Sequence, residues 1–186
     1  MSTTNDVRPG QFLDLDDGLF QIVEYQHVKP GKGKAFVRMK LRNIESGASV
    51  DRTFRAGEQV VVAVIDRRNH QFLYSDGTNY HFMDNDTYNQ IELGPEIVGD
   101  AGDYLTDGLE VVIPTYQGQP MGVDLPASVA LEVTYAEPGV RGDRVSGGTK
   151  PVTLGTGLVV QVPLFIEQGE RIKVDTRSGE YIERAQ

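Results

Sequence analysis

Short runs rich in β-branched and aromatic residues recur at spacings near ten residues along this chain, and glycine or proline interrupts almost every one. That rhythm specifies small all-β barrels, because a doubly wound sheet needs long helical stretches between its strands. Residues 19–28 and 35–42 read as two arms of one hairpin: Ala35, Val37, Met39 and Leu41 alternate with Phe36, Arg38, Lys40 and Arg42, the period of a half-buried strand. Asp76-Gly77 joins the run 71–74 to 80–83, a strong hairpin signal. Gln117-Gly118 separates 111–116 from 120–123, where the prolines indicate edge positions. Residues 157–166, 171–176 and 180–184 read as strands, the last two joined by a turn at 177–179. Short helical turns are expected at 87–93 and 97–105.

The charge is segregated in the same three parts. Residues 1–64 carry 9 Lys/Arg against 8 Asp/Glu, residues 65–127 carry 2 against 11, and residues 128–186 carry 7 against 8. An acidic centre between two near-neutral ends with local basic clusters suits a protein that meets RNA at its extremities, while its middle faces solvent or a basic protein. Three domains are therefore expected, at 1–64, 65–127 and 128–186. The short connections between them favour an elongated, fairly rigid rod.

Two stretches stand out as candidates for function. The first, His27 to Phe36, carries Lys29, Pro30, Gly31, Lys32, Gly33 and Lys34 at the turn of the first hairpin. Pro30 fixes its own φ, and Gly31 and Gly33 are expected to supply positive φ and leave no side chain beside Lys32. The segment reads either as a solvated basic turn or as a finger that pushes one amine outward. Arg38, Lys40 and Arg42 share one strand face and form a basic stripe leading to that point. Lys32 is followed by Gly33 and a strand, so a phosphate-binding loop, which requires Gly-Lys-Ser/Thr opening a helix, is set aside. The second stretch, 138–151, is glycine-rich and contains Arg141, Gly142, Asp143, Arg144 and Lys150. It reads either as a flexible surface loop or as a loop that follows a phosphate backbone or bases.

Several function classes fall away. The chain has no cysteine, which excludes disulfide scaffolding, thiolate zinc sites and cysteine catalysis. Its histidines are His27, His70 and His81, and no nucleophile, base and orienting acid can be assembled around them, so no catalytic residue is expected. Asp84-Asn85-Asp86 begins like a calcium loop, but Asn89 and Pro95 stand where that loop needs glycine and glutamate; no metal is expected. Arg141-Gly142-Asp143 and Asn85-Asp86-Thr87 mimic an integrin ligand and a glycosylation site, and both require export. Neither a secretion signal nor a membrane span is visible, and a cytoplasmic protein is expected. A general single-strand-binding protein would use aromatic platforms and a continuous basic groove, which the absence of tryptophan and the acidic middle oppose.

Taken together, Val28-Lys29-Pro30-Gly31-Lys32-Gly33-Lys34-Ala35-Phe36, Tyr80-His81-Phe82-Met83-Asp84, and Gly142-Asp143 through Gly147-Gly148-Thr149-Lys150-Pro151-Val152-Thr153-Leu154-Gly155 resemble the bacterial elongation factor P family. The resemblance implies an SH3-like (KOW-like) barrel followed by two OB-folds arranged like a tRNA. It also implies a monomeric, non-enzymatic factor that binds the ribosome, both rRNA and ribosomal proteins, between the peptidyl and exit tRNA sites and relieves stalling at consecutive prolines. By the same resemblance, Lys32 reaches the end of peptidyl-tRNA, and the tip residue of this family is often extended by a lysine-modifying enzyme; β-lysylation, another lysine adduct and an unmodified Lys32 all stay open. Arg38, Lys40 and Arg42 meet tRNA or rRNA, and the loop containing Arg141, Gly142, Asp143, Arg144 and Lys150 faces RNA, including mRNA in the exit site. No cofactor is implied. Arg144 departs from the Gly-Asp-Thr common in relatives, which keeps a paralogous ribosome factor with other stalling preferences in view, and Lys34 departs from their Gln or Pro, which leaves the modification system open.

Overall fold

The computed structural model describes residues 1–138 and 148–186. Its architecture is three antiparallel sheets. The first contains β1 (Ser2–Thr3), β2 (Phe12–Leu15), β3 (Gly18–Val28), β4 (Phe36–Asn43), β5 (Ser49–Arg55) and β6 (Gln59–Ala63), in the order β1-β6-β2-β3-β4-β5. The second contains β7 (Asp66–Ser75), β8 (Tyr80–Asp84), β9 (Gln90–Leu93), β10 (Glu110–Tyr116) and β11 (Gln119–Pro120), ordered β11-β10-β7-β8-β9. The third contains β12 (Ser128–Ala136), β13 (Thr149–Leu154), β14 (Val159–Pro163), β15 (Arg171–Asp175) and β16 (Tyr181–Arg184), ordered β14-β13-β12-β15-β16. By compactness the chain divides into two units, Met1–Asp66 with Tyr116–Gln119, and Arg67–Thr115 with Pro120–Gln186. No helix of the described residues is long and apolar enough to cross a membrane.

Each sheet closes over its own apolar cluster. In the first unit, Leu13, Phe20, Ile22, Val37, Met39 and Leu41 are almost fully buried. These are the alternate residues of β2, β3 and β4, so the period-two pattern decides which face is core. In the second unit, Phe72, Phe82 and Ile113 anchor one cluster, with the rings of Phe72 and Phe82 meeting edge to face at 5.4 Å. Leu131, Val133, Leu154, Val162, Ile166 and Ile172 anchor the other. Burying one such aliphatic side chain contributes roughly 1.5–3 kcal/mol.

The two helical expectations part ways. Residues 97–105 do turn, as α1 (Pro95–Val98) followed by a 3-10 helix over Gly99–Tyr104. Residues 87–93 instead finish a tight turn and enter β9. The cause lies in Asp84, whose Oδ1 accepts the backbone N–H of Asp86 at 2.8 Å and of Thr87 at 3.0 Å. That cap offers the backbone an alternative to helix.

Among the described residues this turn occurs three times, once in each sheet, at the end of β4, β8 and β15. Asn43 Oδ1 caps Glu45 and Ser46, and Asp175 Oδ1 caps Arg177 and Ser178, just as Asp84 caps Asp86 and Thr87. In every copy the fifth residue returns its N–H to the first carbonyl, Gly47 to Asn43, Tyr88 to Asp84 and Gly179 to Asp175. The fourth residue, Ser46, Thr87 or Ser178, accepts the N–H that follows the fifth. The fifth position requires positive φ: +70° at Gly47, +74° at Gly179 and +60° at Tyr88.

Candidate functional site

The first hairpin is held in register from Phe20 opposite Asn43 to Val28 opposite Phe36, with one extra residue, Val23, bulged out of β3. Behind it Val37, Met39 and Leu41 are fully buried, which fixes the direction in which the arms leave the core. Residues 29–35 connect the arms, and Lys29, Pro30, Gly31, Lys32, Gly33 and Lys34 are all exposed. Gly33 adopts φ +121°, and a Cβ there would meet only Pro30 Cγ at 3.7 Å. Gly33 is thus needed for its backbone conformation and not for space. The expectation that Gly31 also takes positive φ is corrected: its φ lies outside that range, and a Cβ on it would meet open space.

Arg38, Lys40 and Arg42 do share the outer face of β4, but their electrostatics differ. Lys40 lies opposite Glu24 on β3 and Asp51 on β5, and its Nζ is 3.7 Å from Glu24 Oε1. Its charge is therefore answered in place, although such a half-exposed pair adds at most about 1 kcal/mol. Arg38 is exposed and faces the uncharged Gln26 and Thr53. Closer still to the tip, Arg55 on β5 stands opposite Phe36 on the same face, exposed. Sequence reasoning passed over Arg55, because only the cross-strand register brings it beside the tip; the alternation of exposed Ser49, Asp51, Thr53 and Arg55 was the available signal. The cationic end of the hairpin thus consists of Lys29, Lys32, Lys34, Arg38 and Arg55, with Arg42 at the far end of the stripe.

In the C-terminal region one expectation is corrected. Lys150 lies in β13, where it alternates inward with Val152 and Leu154; it is 7% exposed. Its Nζ donates to the carbonyl of Glu137 at 2.8 Å. A lysine placed on the core side of a strand must find an acceptor there, and this one does so at the end of β12, so it is a structural lysine and not an RNA-facing one. Arg141, Gly142, Asp143 and Arg144 lie outside the described residues.

Among the described residues, three potential metal-ligand atoms come within 4.8 Å of one another, on Asp76, His81 and Glu92. They already engage other partners. Asp76 Oδ1 accepts the backbone N–H of Asn79 at 2.7 Å and of Thr78 at 2.9 Å, its Oδ2 lies 2.9 Å from His81 Nε2, and Asn79 Nδ2 donates to Glu92. The His81 ring is stacked on Tyr74 at 4.4 Å. The cluster therefore locks the β7–β8 turn. The Asn79 amide above all, then His81 and the Thr78 amide, hold the Asp76 carboxyl down to about 2. A depressed carboxylate stabilises the fold above its unfolded-state value, near 4, and that contribution disappears as pH falls through about 2. Carbon-detected titration is expected to place the Asp76 midpoint near 2 in the wild type, and Asn79→Pro, which removes the leading N–H donor, to raise it. A midpoint near 4 in the wild type would contradict this network.

Comparison with known proteins gives a consistent picture. Residues 3–60 match the elongation factor P (EF-P) KOW-like domain, residues 65–123 the elongation factor P (EF-P) OB domain, and residues 129–184 the elongation factor P, C-terminal family. The chain is 52% identical to elongation factor P of Kocuria rhizophila over 99% of its length and 98% of the relative's. It is 55% identical to elongation factor P of Salinispora arenicola over the whole of both chains. Among solved structures, a eukaryotic translation initiation factor 5A from Methanococcus jannaschii aligns with a TM-score of 0.55 at 28% identity, covering 65% of this chain and 91% of the other.

Proposed function

Because the chain belongs to the elongation factor P family of translation factors, we propose that it binds the ribosome between the peptidyl and exit tRNA sites and speeds peptide-bond formation at consecutive prolines. The observation that carries this reading is the isolation of Lys32. It stands exposed at the end of a hairpin whose base is buried, on a tip narrowed by Gly31 and Gly33 and surrounded by cations. Such a finger enters a crowded RNA site without unfolding anything behind it, and its basic end is suited to phosphate contacts from Lys29, Lys34, Arg38 and Arg55.

No covalent step by the protein is needed. Proline's ring constrains the chain and its nitrogen is secondary, so a peptidyl-tRNA that ends in proline reacts slowly when misplaced. Holding its acceptor end in a near-attack geometry recovers rate through orientation, each ~1.4 kcal/mol off the barrier being worth about tenfold. The exposed Lys32 amine is open to a modifying enzyme, and a lysine adduct such as β-lysylation would lengthen the finger and add donors. An arginine-directed sugar transfer has no substrate at this position.

The test is the rate of forming a peptide with three consecutive prolines on purified ribosomes, with and without the chain purified from its native cells. Acceleration of at least about tenfold is expected, with no acceleration of a proline-free control. Equal rates with and without the protein would reject the proposal.

A further inference from the structure

The three copies of the capped turn act as an internal control on one position. Two of them put glycine at the residue with positive φ, and the third puts Tyr88 there, at +60°. A Cβ at that φ crowds the following carbonyl, and only glycine, or asparagine and aspartate with their short polar side chains, adopts it readily. Tyrosine has neither advantage. The turn's hydrogen bonds run through the Tyr88 backbone N–H, the Asp84 carboxylate and Thr87, so the tyrosine side chain is not what builds it. That side chain is instead 71% exposed, at the end of a hairpin whose anchor, Asp84, is buried beside His70 and Arg68.

A strained residue that presents a large aromatic ring on a rigid support has the character of a binding anchor. Charge selects the kind of partner. Asp86 is exposed in the same turn, and residues 65–127 carry 11 acidic side chains against 2 basic ones. A segment with this balance repels a phosphate backbone and attracts guanidinium or ammonium groups. Resting on the ribosomal reading above, we infer that Tyr88 is an interaction anchor for a basic protein surface. An arginine of the partner stacks on the Tyr88 ring and pairs with Asp86.

The experiment uses the full chain and 70S ribosomes carrying a prolyl peptidyl-tRNA. Affinity is measured for the wild type, Tyr88→Phe and Tyr88→Gly, alongside their thermal midpoints. Tyr88→Gly is expected to raise or preserve the midpoint, since glycine relieves the strain, and to weaken binding about tenfold. Tyr88→Phe keeps a stacking face and should bind like the wild type. A photo-reactive p-benzoylphenylalanine placed at position 88 is expected to crosslink to a basic ribosomal protein. Unchanged affinity for Tyr88→Gly, a weakened affinity accompanied by a lowered midpoint, a crosslink to RNA or to a second copy of the chain, or no protein crosslink would each overturn the inference and leave the ribosomal function standing. Failure of the wild type itself to bind would overturn both.

Discussion

Replacing Lys32 with alanine will bring the rate of consecutive proline joining down to that of ribosomes without the factor, a loss of at least about tenfold, while leaving thermal stability within about 0.5 kcal/mol of wild type. The two halves of this expectation have separate causes. Activity is expected to be lost because the Lys32 amine, with or without an adduct, is the group that the exposed, glycine-flanked end of the hairpin offers to peptidyl-tRNA. Stability is kept because the side chain is exposed and the buried run of the hairpin stops at Val37, on the core side of the tip. Lys32→Arg then separates charge from modification. It preserves a cation but removes the primary amine that an acylating enzyme needs, so it should remain slow if an adduct carries the effect and recover if charge alone suffices. Ribosome binding measured in parallel should weaken only modestly in either variant, since Arg38, Arg55 and the neighbouring lysines remain. Wild-type rates from Lys32→Ala would remove Lys32 from the mechanism.

Much of this arrangement is legible in the amino-acid sequence, and the parts that are not share a common origin. Strand periodicity tells which of Val37, Arg38, Met39, Lys40 and Leu41 face inward, because that information is local. It does not tell that Glu24 and Asp51 flank Lys40, or that Arg55 stands beside Phe36, because those pairings depend on register between strands and on the Val23 bulge. Lys150 escapes for a related reason. Its charge argues for solvent and its position in the alternation Lys150, Val152, Leu154 argues for the core, and a single carbonyl at the end of β12 is enough to accommodate it inside. The stretch 87–93 contains residues that tolerate helix, and the Asp84 cap overrides that preference. The threefold turn is in fact written in the sequence, as Asn43-x-x-Ser46-Gly47, Asp84-x-x-Thr87-Tyr88 and Asp175-x-x-Ser178-Gly179. It escapes a glycine-based search because one copy lacks the glycine.

The opposite dissociation is expected at Phe20. Its ring is 2% exposed in the core behind the hairpin, and the guanidinium of Arg52 lies over it at 4.7 Å. Arg52 in turn grips Asp17 with both terminal nitrogens, one bond measuring 2.9 Å, and this contact holds the Asp17 carboxyl below the usual range. Phe20→Ala therefore removes a core ring and the platform that seats Arg52. Large-to-small changes of this kind cost about 3–5 kcal/mol, with the lost cation–π contact adding about 0.5–1 kcal/mol. Amide exchange at Ile22, Met39 and Leu41, which depends on opening of this sheet, should accelerate at least about 100-fold, since every ~1.4 kcal/mol is tenfold. The Lys32 amine is untouched, so molecules that remain folded should still accelerate proline joining, and activity should fall with temperature in step with unfolding. An exchange acceleration below about tenfold would show that the site collapses around the lost ring. Loss of rate at temperatures where the sheet is still protected would show that the core behind the hairpin positions the finger as well as holding it.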